Sequence, residues 1–328
     1  MTVEHKRPSG ITVVMPLYNG AHDVLGAVNS VLNQRVSDFQ LIVVNDGSTD
    51  GGEKIVRGLH DGRVRVVDQE NKGVSAARNR GIAEAQDDLV AFLDADDEWK
   101  PDFLETIIRM RLAFPKSSVF ATHYVYKELD GSVRAPILQR VQEGEWEGIL
   151  NNYFEVAAHS DPPLWSSAIA VEKSTLQTIG GFPEGVAIGE DLLTWARLAI
   201  DQQIAFSKRQ SAVFRLRGPL TGYPTRTPEL PDVVGRELAK LAPHVHHDQQ
   251  EDFRRYAAMW HRMRASMFVQ LDRPGDALDD VRKIWRYSKT DRRALIYFLL
   301  AKTPQMMRKV VLQIFTFTRA LRRRIVAR

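Results

Sequence analysis

Two aspartates that follow a short apolar run could hold a divalent metal ion. The run covers residues 89–93, and Asp94 and Asp96 come directly after it with Ala95 between them. Mg²⁺ and Mn²⁺ prefer oxygen ligands and are usually bound through one or two carboxylates together with substrate phosphates. The spacing therefore predicts a site for a metal-bound diphosphate, with an acidic surface loop as the alternative.

The surrounding chain indicates the sheet that would position this motif. Apolar, strand-like runs lie at residues 11–15, 41–44, 64–67 and 89–93, with helix-like segments at 21–33 and 74–85. Short apolar strands that alternate with helices are typical of a doubly wound α/β fold with a parallel sheet. Ligands of such sheets bind beyond the carboxyl ends of the strands. The residues found at the four ends are Tyr18, Asp46, Lys72 and Asp94.

Each of these features also has a purely structural explanation. Residues 46–50 have the composition of a turn followed by a helix N-cap. Lys72 and Arg78 could be solvated charges on a helix, and residues 79–81 could be surface residues without a specific role. Pro16 could simply end a strand. The combination at four strand ends favours a ligand pocket over four independent turns.

Taken together, the motifs resemble those of the family 2 inverting glycosyltransferases. In chain order they are VVMPLYN at 13–19, VNDGSTD at 44–50, NKGVSAARN at 71–79, FLDADD at 92–97, GGF at 180–182 and GED at 189–191. They cover roughly the first 215 residues. The resemblance implies a GT-A type fold, with a doubly wound, mostly parallel sheet and helices on both faces. It also implies a nucleoside-diphosphate sugar as donor and a divalent metal, Mn²⁺ or Mg²⁺, as cofactor.

The resemblance implies where the nucleoside would bind. Pro16 and Tyr18 would line the base pocket, and Asp46 would hydrogen-bond the base. Lys72 and Arg78 would lie near the nucleotide. UDP is the nucleotide that the resemblance favours, with GDP and dTDP as open alternatives.

The resemblance also assigns residues 94–96 to the sugar and the diphosphate. Asp94 would contact the ribose, Ala95 would line the donor site, and Asp96 would ligate the metal. The metal would stabilise the departing diphosphate as a Lewis acid.

A second acidic pair supplies a candidate base. Glu190 and Asp191 precede residues 192–198, whose apolar positions repeat at helical spacing. A carboxylate near a helix N-terminus is stabilised by the dipole and the free N–H groups. Inverting transfer needs a base within reach of the acceptor hydroxyl, and the resemblance makes Asp191 that base, with Glu190 as its neighbour or a support of the metal site. An acidic helix cap is the alternative.

The sequence departs from the family in two places. The Gln-x-x-Arg-Trp pentapeptide of processive synthases is absent, which favours addition of one sugar per encounter. Where many relatives carry a histidine that joins the metal shell, this chain has Arg217. Arginine cannot ligate a cation but can clamp a phosphate, so Arg217 would make transfer less metal-dependent. A surface arginine is the alternative.

Several aromatic and histidine residues are candidates for acceptor contacts. Trp195, with Glu190 and Arg217, could contact the diphosphate or the acceptor, and the polar middle region adds Trp146, His159 and Trp165. Most such aromatics are core residues. The sequence gives no role for His22, His60 and His123.

The C-terminal third reads as a separate, helical part of the chain. We place a catalytic domain at residues 1–218 and a helical region at 219–328, with helices at 251–271, 277–287, 292–301 and from about 305 onward. Residues 292–328 contain ten of the 45 basic residues and none of the 41 acidic ones, so the rest of the chain is net acidic by six. This basic, amphipathic segment favours an anionic membrane surface, with a packed terminal helix as the alternative.

Composition and patterning set the remaining limits. The absence of cysteine excludes disulfides and thiolate chemistry. No run reaches the length needed to span a bilayer, residues 1–10 are polar, and no nucleic-acid motif is present. We therefore expect a cytoplasmic enzyme, peripheral on the inner membrane face, that glycosylates a glycan or lipid-linked acceptor in cell-envelope assembly. The alternatives are a nucleotidyltransferase, which would need a glycine-rich loop after the first strand, and a sugar-nucleotide-binding or scaffold protein.

Overall fold

The computed structural model describes residues 10–216 and 226–308, which form two compact units. The first unit is Met1–Tyr153 with Ser160–Arg215, and the second is Phe154–His159 with Leu216–Arg328. The sequence placed the boundary three residues later and assigned residues 154–159 to the first part. They belong to the second unit because the Phe154 ring packs 5.0 Å from Phe253 and 5.4 Å from Tyr256.

The first unit is built on one mixed sheet. Its strands are β1 (Ile11–Leu17), β2 (Phe39–Asp46), β3 (Val64–Gln69), β4 (Leu89–Phe92), β5 (Glu98–Trp99), β6 (Val119–Lys127), β7 (Val133–Arg134), β8 (Glu147–Ile149), β9 (Ile169–Glu172) and β10 (Ile204–Arg215). The order is β3-β2-β1-β4-β9-β6-β10-β5, with β7 beside β6 and β8 beside β10. The strands from β3 to β4 are all parallel, whereas β9 is antiparallel to both of its neighbours. The predicted α/β, doubly wound, mostly parallel GT-A type sheet is confirmed.

Helices connect and cover these strands. In the first unit they are α1 (Val24–Leu32), α2 (Gly52–Arg57), α3 (Val74–Glu84), α4 (Phe103–Ala113), α6 (Lys173–Thr178) and α7 (Glu190–Asp201), whereas α5 (Tyr153–His159) belongs, after its first residue, to the second unit. The buried positions of α1 recur at helical spacing and are Val24, Ala27, Val28 and Val31. Strands β1 and β2 are buried on both faces, which explains their nearly continuous apolar sequences.

Glycine allows α3 to pack directly on the sheet. A Cβ atom at Gly81 would lie 2.2 Å from Cγ1 of Val14, so only glycine fits between the helix and β1. Gly81 is therefore a packing residue, and the alternative explanation of residues 79–81 as surface residues without a role is wrong for it. The close approach fixes the position of α3 and of the polar residues on it.

The second unit is helical, as predicted. Its main helices are α8 (Val233–Leu241), α9 (Gln250–Gln270), α10 (Pro274–Tyr287) and α11 (Arg292–Lys302). Helix α10 begins at a proline, whose missing N–H is not needed in the first turn. The Asp291 carboxylate caps α11 by accepting hydrogen bonds from two backbone N–H groups. A core of buried residues joins three of these helices and includes Ala258, Val281 and Ala294.

Parts of the C-terminal prediction lie outside the described residues. Most of the expected last helix, and with it most of the basic segment, follows residue 308. Across residues 10–216 and 226–308, no helix is both long and apolar enough to cross a membrane.

Candidate active site

The loops after β1 and β2 are tied together at the carboxyl edge of the sheet. The Asn19 side-chain oxygen accepts a hydrogen bond from the Thr49 backbone N–H at 2.9 Å, and Asn19 N–H donates to the Ser48 hydroxyl at 3.1 Å. The Asp50 carboxylate accepts from the N–H groups of Ala21 and Gly52, which lowers its pKa. The turn proposed as the alternative for residues 46–50 therefore exists, but it also joins two strand ends.

The predicted nucleoside residues lie around this edge. Tyr18 directly follows β1 and is 56 % exposed, so its ring is available to a ligand. Pro16 is half-buried within β1, beside Val44 of β2. Lys72 lies in the loop before α3 and is exposed. Binding of a base or nucleotide by these residues remains a prediction.

Asp46 holds the loop that carries Lys72. Its carboxylate is 2 % exposed and accepts hydrogen bonds from Gln69 Nε2 at 2.7 Å, Lys72 N at 2.9 Å and Gly73 N at 2.8 Å. The contact with a base that the resemblance implies stays a prediction. In the structure, Asp46 shapes the start of α3.

Arg78 is a buried cation between two carboxylates. It is 3 % exposed, and its Nη2 donates to Asp94 Oδ1 at 2.7 Å, while its Nη1 lies 3.5 Å from Glu190 Oε1. The guanidinium also lies 5.1 Å from the Phe182 ring centroid. The alternative of a solvated helix charge is therefore wrong for Arg78. These two ion pairs connect α3 with the segment after β4 and with the start of α7.

The candidate base lies at the N-terminus of α7. Gly189, with φ of 83°, turns the chain into this helix, and Asp191 Oδ1 accepts a hydrogen bond from Leu192 N at 2.7 Å. Burial raises the pKa of Glu190 to about 7, and the neighbouring Asp191 adds to the rise against the opposing effect of Arg78. Burial also raises the pKa of Asp191. This pair can therefore exchange a proton near neutral pH.

Asp97 organises the turn after β4, and the sequence did not identify it. It is 1 % exposed, and its carboxylate accepts from Trp165 Nε1 at 3.1 Å, the Ser167 hydroxyl at 2.5 Å and Arg215 N at 3.2 Å. The same hydroxyl accepts from Asp94 N at 3.0 Å. Burial, together with the nearby aspartates, raises the pKa of Asp97. Its place at the end of the FLDADD motif was the one signal available in the sequence.

Asn79 fixes the loop before the acidic pair. Its Oδ1 accepts from Phe182 N at 2.8 Å, and its Nδ2 donates to Phe182 O at 2.9 Å and to Glu184 Oε1 at 3.0 Å. Phe182 in turn packs edge-on against Phe92 at 5.2 Å. The GGF motif therefore positions the aromatic ring beside Arg78.

The remaining aromatic candidates divide into core and half-exposed residues. Trp195 is 2 % exposed and packs against Phe182 at 5.8 Å, so its ring is a core element and direct contact with the diphosphate or acceptor is disfavoured. Trp165 is half-buried on Phe214, with ring centroids 4.4 Å apart, and Trp146 is also half-buried. His159 is exposed on α5. Arg217 lies outside the described residues.

The residues around Arg78 bring several carboxylates together, and binding of a divalent cation by them stays a prediction. The carboxylates of Asp94, Glu190 and Asp191 all act on one guanidinium, and the turn that carries Asp96 follows directly. Burial is the main cause of the raised pKa values of Glu190 and Asp191, and the neighbouring carboxylates add to it. Such an oxygen-rich, net negative set suits Mg²⁺ or Mn²⁺.

A second group of candidate ligands lies in the second unit. Oxygen and nitrogen atoms of Asp232, His261 and Asp280 lie within 4.8 Å of one another. Arg264 Nε already contacts Asp280 at 3.1 Å, and Lys283 Nζ lies 3.4 Å from Asp232. Because these cations neutralise the aspartates, we favour a structural role for this cluster over metal binding.

Comparison with known proteins finds similar glycosyltransferases. Residues 12–160 match the family described as "Glycosyl transferase family 2". An uncharacterized glycosyltransferase of Rickettsia bellii is 27 % identical over 222 residues, 66 % of this chain and 30 % of that protein. Glycosyltransferase GlyA of Streptococcus pneumoniae is 32 % identical over 123 residues, 37 % of this chain and 18 % of that protein. The chain thus spans less than a third of the length of either relative.

A solved structure shares the fold. S. aureus TarS 1–349 superposes with a TM-score of 0.64 at 16 % identity, covering 88 % of this chain and 89 % of TarS 1–349. The same fragment in complex with UDP-GlcNAc gives a TM-score of 0.56 at 17 % identity, over 85 % of this chain and 91 % of the fragment. At this identity the likeness establishes the fold.

Proposed function

We propose, from the match of residues 12–160 to glycosyl transferase family 2, that this chain is a glycosyltransferase of that family and transfers a sugar with inversion to an acceptor hydroxyl. The donor is a nucleoside-diphosphate sugar, and one sugar is added per encounter. The observation that carries the proposal is the buried Arg78, which joins Asp94 of the donor motif to Glu190, the residue before the candidate base. This contact connects the FLDADD motif, which contains Asp94, with the GED motif, which contains Glu190. The two motifs lie about a hundred residues apart in sequence.

UDP is the nucleotide that we propose. TarS, which shares this fold, has been described in complex with UDP-GlcNAc and with UDP. In this chain the exposed Tyr18 ring lies at the end of β1, where it could stack on the base. Lys72 and Asp94 would contact the phosphates and the ribose from the ends of neighbouring strands.

Asp191 acts as the base in the proposed reaction. It takes the proton of the acceptor hydroxyl while the new bond to the sugar C1 forms and the bond from C1 to the diphosphate oxygen breaks. Glu190, whose pKa is about 7, carries less negative charge beside Asp191 at neutral pH than an ordinary glutamate would. Asp96 would hold the divalent cation, Mn²⁺ or Mg²⁺, which supplies Lewis-acid stabilisation of the departing diphosphate.

The acceptor that we propose is a glycan or lipid-linked molecule of the cell envelope, reached from the cytoplasmic face of the membrane. The support is the basic, amphipathic sequence of residues 292–328, which favours an anionic lipid surface. Arg217 would assist by clamping the diphosphate. Most of that segment, like Arg217, lies outside the described residues.

The first experiment measures the melting temperature with UDP, GDP, dTDP and CDP, each with and without Mn²⁺. A ligand present at a hundred times its Kd adds about 2.7 kcal/mol to the free energy of unfolding. We expect UDP with Mn²⁺ to raise the melting temperature of the wild type and of Asp191→Asn, but not that of Asp96→Ala.

Activity separates the base from the binding site. Asp191→Asn is expected to reduce transfer from the UDP-sugar by a factor of about 10² to 10⁴, the usual contribution of a general base. Full transfer by this variant would contradict the assignment of Asp191. If no nucleotide changed the melting temperature of the wild type, the protein would be a scaffold and the proposed function would be wrong.

A further inference from the structure

A cleft of about 860 Å³ lies in the first unit, outside the Arg78 cluster. Its walls come from the beginning of α4, the middle of β6, the segment that leads into β8 and the middle of β10. Neither Arg78 nor its carboxylate partners line it. The donor site therefore does not account for this cleft.

His123 forms part of the wall and is left with an unsatisfied acceptor. The residue is 5 % exposed, and its Nδ1 has no hydrogen-bond partner among the described residues. Burial, opposed by a hydrogen bond to the Pro136 carbonyl, lowers the pKa of His123 to about 4. The ring is therefore neutral at physiological pH, and its nitrogen lone pair lacks a donor. Buried polar atoms without a partner are rare in native structures.

Trp146 presents a fixed aromatic ring to the same cleft. A Cβ atom at Gly148 would lie 2.7 Å from its Cζ2, so the ring rests directly on the Gly148 backbone. The Trp146 carbonyl accepts a hydrogen bond from Lys208 N at 2.8 Å, which ties this segment to β10. The side chain is nevertheless half-exposed. A rigid ring of this kind can bind a ligand with little loss of conformational entropy.

The charges of the cleft are arranged in opposite-sign pairs. Arg109 binds both carboxylate oxygens of Glu147, and Arg209 contacts Asp102 at 3.1 Å. Lys208 Nζ donates to a backbone carbonyl at 3.0 Å. The walls therefore offer both donors and acceptors but no strong field of one sign. That chemistry matches a neutral ligand rich in hydroxyl groups better than a polyanion.

The irregular path of β10 helps to build these walls. The pairing of β10 with β6 changes register between Ser207 and Gln210 and again between Gln210 and Ala212. Residues in such bulges leave the regular ladder, and bulges often re-aim side chains beside binding sites. Lys208 and Arg209, at the first irregularity, both line the cleft.

We propose that this cleft binds a neutral oligosaccharide, with one sugar ring stacked on Trp146 and sugar hydroxyls hydrogen-bonded to the paired charges of the walls. The inference rests on the proposed function, because the oligosaccharide would be a non-reacting part of the acceptor. Lys100 on the cleft wall is four residues from Asp96. Their Cα atoms are therefore at most about 14 Å apart, so one acceptor chain could reach both sites.

Calorimetric titration with cellotetraose, maltotetraose and chitotetraose tests the proposal on the full chain. We expect at least one of the three to bind, and Trp146→Ala to weaken that binding by about tenfold or more. Trp146→Phe, which keeps a flat ring, should lose less. Leu112→Ala on α4, where the side chain is 78 % exposed and outside the cleft, should change nothing.

The result that would overturn the proposal is equally direct. It is wrong if none of the three tetrasaccharides binds, or if binding survives in a folded Trp146→Ala protein with a wild-type melting temperature. Tighter binding of inorganic polyphosphate, unaffected by Trp146→Ala, would identify a basic surface and would also overturn it. If UDP and Mn²⁺ raise the melting temperature while no tetrasaccharide binds, only this inference fails. The opposite result would refute the proposed enzyme and leave a glycan-binding protein.

Discussion

Replacing Glu190 by glutamine is expected to stabilise the protein at pH 8 and to have little effect at pH 5. Folding raises the pKa of this carboxyl from its usual 4.5 to about 7, chiefly through burial. Between these pH values the folded state keeps a proton that the unfolded state has lost. The stability linked to that proton is complete below about pH 4.5 and is lost as the pH rises to about 7.

The magnitude follows from the difference in pKa. At 1.36 kcal/mol per pKa unit, a change from 4.5 to about 7 corresponds to roughly 3 kcal/mol in the free energy of unfolding above pH 7. Glutamine has nearly the same volume as the protonated glutamate but cannot ionise. Glu190→Gln should therefore recover most of this energy at pH 8, and the melting temperature should rise by about 6–12 °C.

Urea denaturation at pH 5, 6, 7 and 8 measures the effect directly. Glu105→Gln is a matched control, because Glu105 is 51 % exposed and pairs with Arg35 on the surface. We expect that control to show no comparable dependence on pH. If Glu190→Gln destabilised the protein at pH 8, the pairing with Arg78 would outweigh burial, and the reasoning from the raised pKa would be refuted.

Two further substitutions test how the site is held. Asp97→Ala should lower the free energy of unfolding by roughly 2–4 kcal/mol, because one buried and two partly buried donors lose their acceptor. Titration should also show weaker Mn²⁺-dependent binding of UDP, and unchanged binding would limit Asp97 to stability. Gly181 has φ of 68°, and an added Cβ would lie 2.4 Å from Asn79 Oδ1, whereas Gly185 has φ of 72° and open space around an added Cβ. Gly181→Ala should therefore lower the melting temperature more than Gly185→Ala, and equal losses would mean that the contact with Asn79 is unimportant.

The parallel half of the sheet was predictable because its strands are buried on both faces. Burial on both sides requires nearly continuous apolar runs, and β1, β2 and β4 show them plainly. The polar residues at their ends were predictable for the same reason, since parallel strands end at one edge. The antiparallel insertion of β9 was not predicted, because a four-residue strand carries too little pattern to reveal its pairing.

The contacts that shape the site were less accessible to sequence reasoning. Arg78 has the residue type of a solvated helix charge, and its burial depends on how closely α3 packs on β1 through Gly81. Asp97 meets Ser167 across 70 residues of sequence, a distance at which no periodicity links them. The domain boundary shifted because Phe154 packs on α9, a long-range contact of the same kind.

The carboxylates around Arg78 carry more negative charge than this one guanidinium can balance. Three carboxylates act on one buried guanidinium, so ionising all of them leaves the cluster net negative. Burial, with a smaller contribution from Asp191, raises the pKa of Glu190 to about 7, so this carboxyl keeps its proton at mildly acidic pH. A divalent cation at Asp96 would lower that cost and favour the ionised form of Asp191, which is the form a base requires. Donor binding with its cation would therefore also activate the base, so that a proton is accepted from the acceptor only after the donor is in place.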